Sequence, residues 1–220
     1  MNSEVPYYNH GLFRAVSDYD IGQRIAFSGG WDLPFDQLWA SGPRRLTKGW
    51  SLYPILTWRT GFPMDIFGQL ATSPTEPGPS GAGDAAIVRA NLNTPNVPIF
   101  DPHQTRTYTL PTAGNVVATG SFWFDPAVFN ANYPTGVFTY GTYPRNYLRR
   151  PHRGNLNFAV AKKTAIFRER LNAEFRVEFF GILNQAEFQF PTLNIEDPSF
   201  GQITSTYDPR IIQLALRLTF

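Results

Sequence analysis

Residues 210–220 alternate between large apolar side chains and mostly small or polar ones, such as Gln213, Ala215 and Arg217. A repeat of two residues indicates a β-strand rather than a helix, with one kind of side chain on each face. The sequence therefore predicts a strand that reaches the last residue. The final strand of a soluble sandwich has the same pattern, but a terminal aromatic residue favours a membrane strand. The apolar face consists of Ile212, Leu214, Leu216, Leu218 and Phe220.

The same repeat recurs in four upstream segments, residues 24–33, 50–59, 155–163 and 171–180. In the last of these, Glu174, Arg176 and Glu178 lie opposite an apolar face and can pair with charges on neighbouring strands. A short polar turn at residues 167–169 predicts a hairpin with the preceding segment. Pro54 lacks a ladder donor and weakens the pattern in its segment. The fold class is therefore all-β and antiparallel, with about five strands.

The connections between these strands alternate between short and long. Short ones lie near Lys48 and Arg168, whereas residues 62–153 and 185–209 form long ones. Outer-membrane barrels have short periplasmic turns and long extracellular loops, and strand parity places the C-terminus on the short-turn side. A loop of about ninety residues without secondary structure is hard to fit into a small soluble domain. We therefore expect a transmembrane β-barrel segment over residues 1–220, with residues 62–153 as a long extracellular loop region. We expect this region to be mobile at least in its Pro- and Gly-rich tract, residues 73–81.

Composition excludes several other classes of protein. The chain has 19 basic and 17 acidic residues, which gives no basic surface for nucleic acid. It contains no cysteine, which excludes disulfides and thiolate metal sites, and no run of eighteen apolar residues that would predict a transmembrane helix. Trp50 and Trp58 stand at opposite ends of one predicted strand, as in an interfacial aromatic belt. Ordinary strand propensity also favours aromatic residues there.

No constellation of residues predicts catalysis, a cofactor or a metal. The three histidines, His10, His103 and His152, lie far apart in loop-like contexts. Glu174 and Glu178 would stand about 13 Å apart on a strand, too far for paired-carboxylate chemistry. The glycines in residues 81–86 follow no predicted strand, so they do not form a dinucleotide-binding loop. We expect a protein that is not an enzyme.

One local concentration of charge is a candidate binding site. Its side chains could bind lipopolysaccharide phosphate or an anionic ligand. They could equally form a solvated loop end that neutralises nearby acids. The four residues are Arg145, Arg149, Arg150 and Arg153.

Several motifs spread over nearly the whole chain resemble a known family. The matching segments are residues 31–35 (WDLPF), 49–50 (GW), 60–63 (TGFP), 145–146 (RN), 150–151 (RP), 170–184 (RLNAEFRVEFFGILN), 200–204 (FGQIT) and 208–220 (DPRIIQLALRLTF). Together they resemble the C-terminal region of TonB-dependent receptors of the Oar-like type. The long loop is the least specific part of the resemblance.

The resemblance implies a barrel of about 22 strands with an N-terminal plug, in the outer membrane of a Gram-negative bacterium. The chain is then a C-terminal fragment, open because about five strands cannot close. It would take part in energy-coupled uptake of an unidentified ligand, through a TonB partner that a missing N-terminal part contacts. The alternating residues that end in Phe220 look like the signal that the barrel assembly machinery reads, and the other partner is outer-membrane lipid.

A different class of protein remains open on the sequence. The alternative is a secreted all-β carbohydrate- or ligand-binding module, in which Trp31, Trp50, Trp58 and Trp123 could form a platform that stacks on sugars. Solubility distinguishes the two classes. A membrane segment exposes sheet edges and a lipid-facing surface to water, so we expect it to aggregate.

Overall fold

The computed structural model describes residues 14–69, 87–111, 115–130, 142–167 and 171–220. Two one-turn helices, α1 (Phe35–Leu38) and α2 (Arg44–Thr47), and a 3₁₀ turn at Pro126–Val128 are the helical elements of these residues. None of the described helices is long and apolar enough to cross a membrane, a finding that does not bear on strands. The strands are β1 (Arg24–Ser28), β2 (Trp31–Leu33), β3 (Trp50–Arg59), β4 (Pro63–Met64), β5 (Phe67–Gln69), β6 (Ile87–Arg89), β7 (Asn91–Leu92), β8 (Thr105–Thr109), β9 (Val117–Ser121), β10 (Phe129–Asn130), β11 (Leu148–Arg149), β12 (Arg153–Phe167), β13 (Leu171–Phe180) and β14 (Ile211–Thr219).

The chain divides into two compact units. One, here called the sheet unit, consists of residues 22–59, 152–187 and 207–220 and contains β1 to β3 and β12 to β14. The other, the loop unit, consists of residues 60–151 and 188–206 together with the described part of residues 1–21. Strands β4 to β11, each two to five residues long, belong to the loop unit.

The sheet unit is an antiparallel meander in the order β1, β3, β12, β13, β14, with β2 also paired to β3. All five predicted strands are therefore confirmed, and so is the hairpin between β12 and β13. The turn residues 168–170 lie outside the described residues. The outer edges of β1 and β14 pair with no described strand, so the sheet is open.

The predicted strand 24–33 is interrupted at Gly29 and Gly30, and Pro54 explains the interruption. Both halves keep one register against β3, with Ser28 opposite Ile55 and Trp31 opposite Leu52. The Gly29 N–H donates to the Pro54 carbonyl over 3.2 Å, but proline has no N–H to return the second bond of the pair. The ladder loses one bond, and the strand direction is unchanged.

Residues that pair across the ladder lie on the same face, so the register sorts the sheet into two faces. The first, here called the apolar face, is almost entirely aliphatic and aromatic across every strand. Its large members are Ile25, Phe27, Trp31, Leu33, Trp50, Leu52, Pro54, Leu56, Trp58, Leu156, Phe158, Val160, Phe175, Val177, Phe179, Ile212, Leu214, Leu216 and Leu218.

The opposite face, here called the polar face, carries the charged and amide side chains, with small residues such as Ala159 and Ala161 between them. On the apolar face, by contrast, Leu214 and Leu216 are both 66% exposed. A soluble sandwich would cover that face with a second sheet. An uncovered apolar surface of this extent marks an interaction surface of the molecule.

The loop unit has a hydrophobic core, which corrects the expectation that residues 62–153 lack regular structure. Its strands form four two-stranded sheets, β4 with β11, β5 with β6, β7 with β10 and β8 with β9. Residues 188–206 contribute Ile195 and Phe200 to the same core. The tract 73–81 lies outside the described residues. The largest fully buried hydrophobic side chains of the core are Tyr143, Phe122, Phe124, Phe129, Phe200, Met64, Ile66, Leu110 and Ile195.

Edge-to-face contacts between aromatic rings stabilise this core. The ring of Phe200 meets those of Phe124 and Phe129 edge-on, with centroids 5.3 and 5.6 Å apart. Such contacts contribute about 0.5–1.5 kcal/mol each beyond the burial of area. Because the strands of the loop unit are only two to five residues long, side-chain packing rather than a continuous ladder defines this unit.

Candidate functional site

Charged side chains on the polar face pair within the sheet unit. Lys163 on β12 lies 3.9 Å from Glu174, its partner on β13, as the sequence predicts for charges on neighbouring strands. Arg176 forms an ion pair of 2.8 Å with Glu178 two residues along the same strand and lies 5.5 Å from the ring of Tyr53. Partly exposed ion pairs of this kind contribute about 0–1 kcal/mol each.

Asp32 and Ser51 extend the polar network to β2 and β3. The Ser51 hydroxyl donates to the Asp32 carboxylate over 2.5 Å, and the two residues face each other in the register. At the other end of the sheet, the Arg153 guanidinium donates to Glu187 over 3.0 Å and stacks 4.0 Å from the ring of Tyr207. The polar face therefore carries hydrogen-bonded carboxylates at both of its ends.

The structure divides the four candidate arginines between the two units. Arg145, Arg149 and Arg150 belong to the loop unit, whereas Arg153 belongs to the sheet unit. Arg145 lies 3.2 Å from the Asp18 carboxylate, and Arg150 lies 4.8 Å from the ring of Phe190. Arg145 is thus paired with an acidic side chain, whereas Arg150 contacts an aromatic ring.

Arg149 is the most completely engaged of the four. Its guanidinium pairs with the Asp20 carboxylate and also donates to the backbone carbonyls of Asp20 and Gly61 over 3.2 Å each. Its own carbonyl accepts the indole N–H of Trp123 over 2.8 Å. An anionic ligand at Arg149 would have to displace a carboxylate that is already bound.

Asp18 and Asn146 complete this polar cluster, and the sequence alone did not identify them. Asn146 adopts a left-handed backbone conformation (φ 56°), which asparagine tolerates, and its side chain donates to Val16 O over 2.8 Å and to Asp18 over 2.6 Å. The hydrogen bond from Asn146 and the charge of Arg145 hold the pKa of Asp18 below its ordinary value, against the effect of burial. The segment before β1 is thereby bound to residues that lie far away in the sequence.

A second polar cluster lies next to the aromatic core of the loop unit. Burial raises the pKa of Asp65 to about 6, although the charges of Arg89 and Arg145 oppose the shift. Arg89 is itself buried, which lowers its pKa, and it donates to Tyr143 O over 3.4 Å. The Tyr143 hydroxyl donates to Met64 O and accepts from the Leu148 N–H, both at 3.1 Å, and burial raises the pKa of this hydroxyl.

Within the described ranges, no group of three or more histidine, aspartate or glutamate side chains could hold a metal ion. His103 pairs with Asp101 at 2.7 Å and packs edge-on against Phe188. His152 lies beside Trp58, with ring centroids 6.2 Å apart. His10 and the glycines of residues 81–86 lie outside the described residues.

Three of the four tryptophans of the carbohydrate-binding alternative belong to the sheet unit, and the fourth belongs to the loop unit. Trp31, Trp50 and Trp58 lie on the apolar face of the sheet unit. Trp123 belongs to the loop unit and is partly buried.

The predicted assembly signal lies on one exposed surface of β14. Its strand residues Ile212, Leu214, Leu216 and Leu218 all lie on the apolar face and are at least half exposed. Phe220 follows the strand and is 99% exposed. The alternation read from the sequence therefore corresponds to a real separation of faces.

The model of a family described as an outer membrane beta barrel domain matches residues 2–213, which is nearly the whole chain. No curated protein matches it. No solved structure matches it either. The two-faced antiparallel sheet agrees with that family, because a barrel wall needs one apolar and one polar face. The chain belongs to the outer membrane β-barrel domain family, and its location is the outer membrane of a Gram-negative bacterium.

Proposed function

We propose that this chain forms the C-terminal barrel wall of a TonB-dependent receptor of the Oar-like type and takes part in energy-coupled uptake of a ligand. One observation carries the proposal. A folded loop unit with its own aromatic core is built from segments that all leave the sheet at the end opposite the C-terminus. Long, structured loops on one side of a barrel are where a receptor recognises its ligand.

The two faces of the sheet supply the wall that such a receptor needs. The apolar face contacts lipid, and the polar face, with its Lys163–Glu174 and Arg176–Glu178 pairs, lines the lumen. Pairing with an opposite charge offsets part of the cost of placing each charge in a confined lumen. The unpaired edges of β1 and β14 join further strands of the closed barrel.

The loop unit faces the outside of the cell and contacts the ligand in this proposal. Arg145, Arg149 and Arg150 are its candidate contacts to an anionic ligand or to lipopolysaccharide phosphate. Because Asp18 and Asp20 already bind two of these arginines, an anionic ligand replaces one carboxylate partner by another anion. Recognition by exchange of this kind weakens the net affinity and makes it dependent on salt.

The partners follow from the same proposal. The barrel assembly machinery recognises β14 and Phe220, outer-membrane lipid covers the apolar face, and a TonB-type energy transducer acts through a part of the receptor outside this chain. The protein acts as a transporter rather than as an enzyme. It uses no cofactor and no nucleic acid.

Uptake by whole cells tests this function. Cells that produce the complete reading frame containing this chain, and cells in which that frame is deleted, receive a mixture of oligosaccharides, peptides and ferric chelates. Mass spectrometry then follows the depletion of each compound from the medium. We expect one chemical class to be depleted only by the cells that produce the protein.

Two controls separate active uptake from simple diffusion through a pore. Deletion of TonB and addition of a protonophore must each abolish the depletion, because both remove the energy supply. Depletion that survives both treatments would show a passive channel and contradict the receptor proposal. Equal depletion of all compounds by both strains would contradict it as well.

A further inference from the structure

The connection between β2 and β3 is more elaborate than a plain turn. Residues 34–49 fold into α1 and α2, and three of the large apolar side chains that they carry are more than half exposed. Leu38 is 78% exposed, Trp39 59% and Leu46 64%. An isolated apolar side chain on a surface is ordinary, but three within nine residues form a patch that favours an apolar environment.

Contacts with β3 and β12 direct this connection toward the apolar face. The Trp50 indole N–H donates to Leu46 O over 2.7 Å, and Phe35 meets the Trp50 ring edge-on at 6.4 Å. Lys162 donates to Lys48 O, and its ammonium lies 5.5 Å from the centroid of the Trp50 ring. Trp50 and Lys162 are partners in the register and lie on the apolar face. The patch of residues 34–49 is therefore continuous with the surface that contacts lipid.

Positive charge accompanies the apolar residues of this patch. Arg44, Arg45 and Lys48 are exposed, and Asp36 is the one acidic residue of the connection. Lys162 adds a further ammonium group beside them. Aromatic and aliphatic side chains interleaved with cations are the composition of segments that lie in the membrane interface and bind anionic headgroups.

Chain topology decides which leaflet the patch meets. The connection leaves the sheet at the same end as the C-terminus and as the short link from β12 to β13. Short links mark the periplasmic rim of an outer-membrane barrel. We propose that residues 34–49, together with Lys162, form an interfacial site that binds anionic phospholipid of the periplasmic leaflet. The proposal needs only the membership of the family, and it stands whether or not the protein transports a ligand.

Quenching of tryptophan fluorescence by brominated lipid tests this site. The full chain, refolded in detergent micelles, is titrated with brominated phosphatidylglycerol or brominated phosphatidylcholine. The difference between the parent chain and Trp39→Phe isolates the signal of Trp39. We expect Trp39 to be half-quenched at a roughly 10- to 30-fold lower mole fraction of phosphatidylglycerol, as expected for two basic residues at an anionic surface. High salt should remove this preference.

A pair of double variants provides the matched control. Arg44→Gln with Arg45→Gln removes two of the four cations of the site and should reduce the preference for phosphatidylglycerol by roughly 10- to 30-fold. Arg24→Gln with Arg210→Gln removes two charges at the opposite end of the sheet and should leave it unchanged. Circular dichroism must show that both variants keep the β-sheet content of the parent chain.

Four results would overturn the proposal. Equal quenching by the two lipids would show that the site does not prefer anionic lipid. An equal reduction of the preference for phosphatidylglycerol in both double variants would show that the preference depends on net charge alone. Absence of Trp39 quenching by either lipid would indicate that the patch faces protein rather than the bilayer. Stronger competition by lipopolysaccharide than by phosphatidylglycerol would place the site at the other leaflet.

Discussion

Ionisation of Asp65 affects the stability of the loop unit. Its pKa rises from 3.8 to about 6 because burial penalises the carboxylate more than Arg89 and Arg145 stabilise it. The folded unit therefore binds this proton more tightly than the unfolded chain does. The resulting stability is fully present below pH 4 and is lost as the pH rises through 6, by about 3 kcal/mol in total.

The substitution Asp65→Asn removes this titration. We expect the free energy of unfolding of the parent chain to fall by about 3 kcal/mol relative to the variant between pH 4 and pH 7. Urea titrations in detergent micelles measure it, with the emission of Trp123 as the probe, because this is the one tryptophan of the loop unit. Asp101→Asn, at an exposed carboxylate whose pKa is lowered by hydrogen bonds from His103, is the control and should not reproduce the effect. Parallel pH profiles for the parent chain and Asp65→Asn would contradict the expectation.

Gly49 is a second residue whose identity is fixed by its surroundings. Its φ is +83°, and a Cβ atom there would lie 2.4 Å from the Lys163 carbonyl oxygen. The Gly49 carbonyl in turn accepts the Lys163 N–H over 2.8 Å, so the two backbones cannot separate without loss of that bond. Gly49→Ala should lower the free energy of unfolding of the sheet unit by about 2–4 kcal/mol.

The midpoint of urea unfolding, followed by far-ultraviolet circular dichroism in micelles, measures the effect of Gly49→Ala. Gly29→Ala is the matched control, because a Cβ atom there makes only ordinary contacts with the Phe27 ring. A midpoint for Gly49→Ala equal to that of Gly29→Ala would show that the backbone at residue 49 is free to move.

At the scale of the element, neighbouring residues of β14 lie on opposite faces of the sheet and should tolerate different side chains. Leu214 lies opposite Val177 on the apolar face, whereas its neighbour Gln213 lies opposite Glu178 on the polar face. An arginine in the lipid costs about 2–4 kcal/mol near the middle of the bilayer. Leu214→Arg should therefore reduce the amount of folded protein in the outer membrane, and Gln213→Arg, which gains an acidic partner, should not.

Fractionation of cells that produce the complete reading frame measures the amount of each variant in the outer membrane. That amount is normalised to the total amount of the variant that the cells synthesise. The two variants differ by one position and carry the same new side chain, so general effects of charge cancel. Equal amounts of both in the outer membrane would show that the face of Leu214 does not contact lipid.

Elements of the sheet unit could be predicted from sequence because each strand separates two environments. Period-two alternation is the direct result, and it remains visible even where Gly29, Gly30 and Pro54 interrupt the ladder. The loop unit gives no such pattern. Its core residues, such as Ile66, Phe129 and Phe200, come from segments too short to show a period and widely separated in the chain.

The same separation explains which parts of the candidate site could be predicted. The arginines were visible as a local concentration of charge. Their carboxylate partners were not, because Asp18 lies 127 residues from Arg145 and Asp20 lies 129 residues from Arg149. Only the fold brings these side chains together.

At the scale of the whole molecule, the apolar face determines how the isolated chain behaves. This face extends over all strands of the sheet unit, and many of its side chains are about half exposed or more, including Ile25, Phe27, Trp31, Ile212 and Leu216. The edges of β1 and β14 carry backbone groups without a partner strand among the described residues. The isolated chain therefore exposes an apolar surface and two open sheet edges to water. Both features favour association with other copies of the chain.

We expect the isolated chain to stay dispersed in detergent micelles and to associate when detergent is diluted below its critical micelle concentration. Light scattering during dilution measures the association. Because the open edges remain when the apolar face is made polar, Leu214→Gln combined with Leu216→Gln should slow the aggregation without preventing it. The corresponding pair on the polar face, Gln213→Ala with Arg217→Ala, should not slow it. A chain that remained monomeric in water without detergent would show that its apolar face is covered by its own residues, and the assignment of that face to lipid would be wrong.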